Sequence, residues 1–135
     1  MPFYTDDSQF YSLMQMLFDR LRQRTPNPID NLTAARLIIR MKITSPDAEV
    51  LINGRLKPVS VRYGRTGRVL PDLDAEMTGD TLHKILTHEL SLRDAWAKRM
   101  IKVKGSILKA APLVDILRAS REIYQDVLRE QNLPG

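Results

Sequence analysis

Cysteine is absent from the 135 residues, which removes disulfides, thiolate metal sites and thiol nucleophiles together. Histidine occurs twice, at His83 and His88. No apolar run comes near the ~20 residues that a membrane-spanning helix needs. Aromatic residues make up only 6% of the chain, too few for the successive stacking platforms of a single-strand nucleic-acid binder. Phosphate-cradling loops are missing as well: "YGRTGRV", Tyr63 to Val69, has two glycines but neither a Walker lysine nor G-x-G-x-x-G spacing.

What is present is an ordinary globular mixture, 43% apolar and 27% charged. The length suits one domain spanning residues 1–135. The N-terminal "MPFYTDDSQF" puts acids where a secretory signal carries basic residues, so a cytoplasmic chain is expected. The net charge of +5 sits in the first 70 residues, which hold 11 Lys/Arg against 6 Asp/Glu; the remainder balances. Arg55, Lys57, Arg62, Arg65 and Arg68 form an acid-free run, a candidate contact for anionic head groups or an anionic membrane surface. Nucleic acid is a poor partner for this run, because Tyr63 is its one interleaved aromatic and no common module matches the element order.

Hydrophobic period divides the chain into elements. Phe10, Leu13, Met14, Leu17, Phe18 and Leu21 draw one stripe, which predicts a helix from about Asp7 to Arg24 with Asp6 as N-cap and Gln9 in capping-box register. From Arg36 the period falls to two, with Leu37, Ile39, Met41 and Ile43 on one side, as in a half-buried strand. "VLI", a hairpin signal at Asn53-Gly54 and then "VSVRY" complete a three-stranded meander. "LDAEMT" is a fourth strand, ended by Gly79. Leu82, Ile85, Leu86 and Leu90 return to helical spacing, Ser91 caps a further short helix, and "MIKVK" is a fifth strand stopped by Gly105. Ile107 and Leu108 open a helical stretch that Pro112 interrupts or restarts, and a last helix runs to about Gln131. Each strand sets charged residues opposite aliphatic ones, so one face of the sheet is expected to be wet and the other covered by helices.

Candidates for catalysis do not converge. His83 and His88 are five positions apart, roughly 140° around a helix, whereas a metal pair needs a spacing of three or four. "THEL" lacks the second histidine of a zinc-protease motif, and helix-end surface positions are expected for both histidines. Asp74 and Glu76 alternate on the polar side of a strand, the pattern of solvated charge, and Ser106 has no base nearby in sequence. The expectation is a protein with no catalytic residues, no metal and no cofactor.

Four pieces of sequence share an order and spacing with a known family. They are Thr78-Gly79-Asp80, Leu82 to Leu86, Glu89-Leu90-Ser91-Leu92 and Ile101-Lys102-Val103-Lys104-Gly105-Ser106. Over Leu73 to Pro112 the chain resembles the sterol carrier protein 2 family of lipid-binding domains, in the form of its stand-alone bacterial members. The peroxisomal tail of eukaryotic members is not matched here. The resemblance implies an α/β (α+β) fold, a five-stranded mixed sheet with helices on one face, in the order helix, three strands, crossover, strand, helices, strand, helix. It also implies a non-catalytic carrier whose apolar tunnel, between sheet and helices, accepts a fatty acid, an acyl chain or another lipid.

On that reading the expected tunnel lining includes Phe10, Leu13, Met14, Leu17, Phe18, Leu82, Ile85, Leu86, Trp96, Ile107, Leu108, Leu113, Ile116 and Leu117. The opposing reading is that the same residues are closed core, since interiors normally pack at crystal-like density. A different class of function also fits: an accessory or dimerisation module that serves a partner enzyme, or pairs as a homodimer, without a ligand of its own.

Overall fold

The computed structural model describes residues 3–24, 35–65, 67, 69–105 and 110–133. Along the chain lie α1 (Asp7–Arg22), β1 (Ile38–Thr44), β2 (Ala48–Asn53), β3 (Ser60–Tyr63), β4 (Leu73–Thr78), α2 (Gly79–Leu86), α3 (Leu92–Ala97), β5 (Lys102–Gly105) and α4 (Ala111–Glu130). The strands form one sheet in the order β3-β2-β1-β4-β5. Only the β1–β4 pair is parallel, because the chain leaves β3 at one edge and crosses back to lie beside β1.

Side-chain capping fixes where three helices begin. Asp6 accepts the Gln9 N–H at 2.8 Å, while Gln9 reaches back to the N–H of Thr5 at 2.8 Å, one residue earlier than a standard capping box. Thr78 accepts from Thr81 and Ser91 from Asp94 at the starts of α2 and α3. Gly79, expected to end β4, instead opens α2: a Cβ there would stand 2.9 Å from both Ser45 O and a Tyr4 ring carbon. Gly105 has φ +112°, and a Cβ on it would lie 2.3 Å from the Asp72 carbonyl, so β5 can approach the start of β4 only through glycine.

Asn53-Gly54 does not make a two-residue hairpin. Asn53 pairs with Ser60, leaving a loop over 54–59 in which Asn53 Oδ1 accepts the Arg55 N–H at 3.0 Å. The Arg55 guanidinium meets both Asp72 oxygens at 2.9 and 3.0 Å, which ties this loop to the chain just before β4.

Register places Ile39, Met41 and Ile43 between Ile52, Val50 and Ala48 on one side and Leu73, Ala75 and Met77 on the other. These residues and the α1 stripe belong to one buried cluster with Leu82, Ile85 and Leu86 of α2 and the inward side of α4. The opposite sheet face is drier than its charges suggest. Leu51, only 1% exposed, stands in register between Arg40 and Arg62, whose aliphatic stems flank it. Arg40 also bonds Asp74, with Nε at 3.2 Å from Oδ2, and lies 3.9 Å from Glu49.

Candidate functional site

Helical cover is unequal across the sheet. α1 and the C-terminal half of α4 pack together, joined by the Arg20–Glu130 pair and by Arg24 with Glu122 at 3.4 Å, and α1 lies over β2 and β3. The β4–β5 side is covered by less. β5 has four residues, α3 has six, and within α3 only Ala95 is fully buried. Mid-way along β4 the inward side chain is Ala75, too small to fill the space above it.

A cavity of about 260 Å³ results. Leu73, Ala75 and Met77 of β4 form its floor, and Val103 of β5 with Ile101 extends that floor to the sheet edge. Leu113, Val114 and Leu117 from the first turns of α4, with Ala110, form one wall; Leu92 and Trp96 of α3 form the other. Trp96 is 45% exposed and stands at the rim. Arg93 is the one charged residue among the twelve described residues that line the space.

The expected lining residues divide into three groups. Trp96, Leu113 and Leu117 stand at the cavity. Phe10, Leu13, Met14, Leu17, Phe18, Leu82, Ile85, Leu86 and Ile116 lie in the closed core at 3% exposure or less and do not border the cavity. Ile107 and Leu108 lie outside the described residues. An inward stripe reads identically whether it meets a partner helix or an empty space, and α1 meets α4 and the sheet. Sequence reasoning passed over Leu73, Ala75, Met77, Leu92, Arg93, Ile101, Val103, Ala110 and Val114. The available signal was the combination of a small residue at the centre of β4 with a six-residue helix as its cover.

The basic run lies elsewhere. Arg55 is engaged by Asp72; Lys57, Arg62 and Arg65 are exposed; Arg68 lies outside the described residues. Arg62 is on β3, the edge strand opposite β5, so three strand spacings of about 4.8 Å, roughly 14 Å in all, separate it from β4, where the cavity floor begins. A larger open hollow of about 750 Å³ lies beside the start of α1, but Asp7, Asp47 and Glu49 there face Lys42 and Arg65. Charge of both signs, with acids in excess among the described lining residues, suits neither an apolar chain nor an anion.

His83 is not the surface residue expected. Phe3 stacks on its ring at a centroid distance of 3.6 Å, and its Nδ1 is 2.7 Å from the Tyr124 hydroxyl, which in turn is 2.6 Å from that of Tyr4. The N-terminal Phe3–Tyr4 segment folds over α2, held by the Phe3 N–H donating to Asp80 at 2.8 Å. Burial lowers the His83 pKa against the pull of Glu89 and Asp80, and burial raises both tyrosines well above their ordinary 10. A neutral imidazole protonated at Nε2 leaves Nδ1 to accept from Tyr124, which then accepts from Tyr4. The two tyrosines are buried in the core, His83 is half-buried beside them, and none of the three borders the cavity. His88 is exposed in the left-handed turn that ends α2. Among the described residues no three His, Asp or Glu side chains gather as a metal site, and no helix is long and apolar enough to cross a membrane.

A five-stranded mixed sheet backed by helices defines an α/β class seen in several solved structures. The fold is that of sterol carrier protein 2. The chain superposes on sterol carrier protein domain 2 of Helicoverpa armigera with a TM-score of 0.66 at 21% identity, covering 87% of this chain and 90% of that one. Sterol carrier protein 2 from Yarrowia lipolytica, in its apo form, gives 0.63 at 16% identity over 90% and 98%. The UbiJ-SCP2 ubiquinone synthesis protein gives 0.59 at 16% identity over 90% and 97%. No family model matches the sequence and no curated protein matches it, so the likeness is one of structure.

Proposed function

We propose that this protein binds and carries a hydrophobic ligand, a fatty acid or other acyl-type lipid, in the cavity between β4–β5 and α3–α4, without catalysing a reaction on it. The supporting observation is the cavity's composition: eleven of its twelve described lining residues are apolar, in a hollow that opens beside an exposed tryptophan. At about 30 Å³ per water-sized group, 260 Å³ holds about nine methylenes. Burying nine at ~0.8 kcal/mol each contributes about 7 kcal/mol before the costs of association, which limits affinity to about micromolar.

Displacement of a fluorescent fatty acid from the full chain tests the proposal. Saturable binding with unlabelled acid competing supports carriage. A folded protein that shows no saturable binding and yields no lipid on extraction would overturn it. The accessory reading draws support from the likeness to a structure described as a ubiquinone synthesis protein. It predicts a protein that purifies empty and self-associates or pairs with an enzyme.

A further inference from the structure

We infer that Arg93 gives the cavity a head-group preference: the favoured ligand is a single-chain carboxylate of about nine or ten carbons, its tail inside and its carboxylate held by the guanidinium at the mouth. The inference rests on the cavity being a ligand site. Arg93 is the one charged residue among the described lining residues, and it is exposed. Among the described residues it has no carboxylate within ion-pair distance, a state it shares with Arg22, Arg36, Arg62, Arg65, Arg99, Arg118 and Arg121; what sets it apart is that it alone of these lines the apolar hollow. A cation that neutralises nothing within the described fold therefore stands where an apolar hollow meets solvent.

Its neighbours set the geometry. Leu92 and Trp96, before and after it on α3, line the same hollow, so one short helix supplies both apolar wall and cation. A guanidinium offers a planar fork of N–H donors that matches a carboxylate in two parallel hydrogen bonds; a neutral hydroxyl oxygen can accept only single bonds from it, without charge pairing, and a cationic head finds no acceptor. Tail length follows from volume: about nine water-sized groups fill 260 Å³, and carbons beyond that remain in water. A sterol, with one neutral hydroxyl and a rigid ring system, makes no charged, two-point match to the fork and does not fit the volume.

The chain's single tryptophan lines the cavity, so its emission reports occupancy without a label. Decanoate and decanol are titrated against the full-length protein and against Arg93→Gln, Arg93→Glu and Arg93→Lys at neutral pH. Because Arg93 is exposed, these substitutions are expected to leave the urea midpoint unchanged, which is checked alongside. The glutamine variant is expected to bind decanoate about five-fold more weakly, the scale of one exposed charge pair, and decanol as the parent does. The glutamate variant weakens decanoate further, lysine restores part of the loss, and added salt weakens decanoate alone. Equal decanoate binding by parent and glutamine variant, or an equal loss for both ligands, would overturn the Arg93 assignment while leaving the cavity standing. If neither ligand binds the parent protein, the cavity reading fails and takes the assignment with it.

Discussion

Replacing Ala75 with leucine asks whether the space over β4 is empty. Ala75 is buried at the centre of the cavity floor, between Met41 and Val103 in the sheet register. Leucine adds three carbons, about 90 Å³ at the size of a water each, well within the 260 Å³ available. Burying three more carbons contributes about 2.4 kcal/mol, and ordering the leucine side chain costs about 0.5–1 kcal/mol. The ligand-free variant should therefore be more stable by about 1.5 kcal/mol, seen as a later urea midpoint at unchanged slope and a rise in Tm of about 6 °C. In a closed interior the same change overpacks and costs about 1–3 kcal/mol, so the sign alone decides. The three carbons also displace three from the ligand, which predicts about fifty-fold weaker binding of decanoate by Trp96 emission. Lost stability together with unchanged binding would refute the placement of the cavity.

Three further outcomes follow from the structure. Phe18→Ala should cost about 3–5 kcal/mol in urea denaturation and leave ligand affinity of the remaining folded protein unchanged, because the α1 stripe is core; a selective loss of binding would return α1 to the cavity wall. Gly105→Ala should cost about 2–4 kcal/mol, since an alanine there is both strained at φ +112° and driven into the Asp72 carbonyl; a neutral effect on Tm would contradict that close approach. The His83 pKa is lowered from 6.5 in the folded state, so the unfolded chain binds the proton first. Stability is full above pH 6.5 and falls as pH drops through the folded value. Urea midpoints at pH 7.5 and 5.5 should show that drop in the parent and a shallower one in His83→Gln, and identical drops would remove His83 as the cause.

Elements were legible where period and caps agree. Leu73 to Thr78 alternates cleanly and forms β4 at those bounds, and Asp6, Ser91 and Pro112 mark helix starts by the chemistry of an unpaired first turn. The fold was legible through the motif run from Leu73 to Pro112, which the solved sterol carrier protein 2 structures bear out as a fold. The cavity was not, because it is made by what fails to fill space. Ala75 looks like any strand alanine until its cover proves to be a six-residue helix. Asn53-Gly54 misled because Arg55 is drawn to Asp72, a partner 17 positions away. His83 misled because its partners, Phe3 and Tyr124, are brought to it only by tertiary folding.

The most direct measurement is isotope-filtered NMR on uniformly ¹³C-labelled protein with unlabelled decanoate. Cross-peaks from the ligand's chain protons to the methyl groups of Ala75, Met77, Val103, Leu113 and Leu117 are predicted, with none to Leu13 or Leu17 of α1. Cross-peaks to the α1 methyls, or to no methyl group at all at saturating ligand, would contradict a lipid seated between β4–β5 and α3–α4.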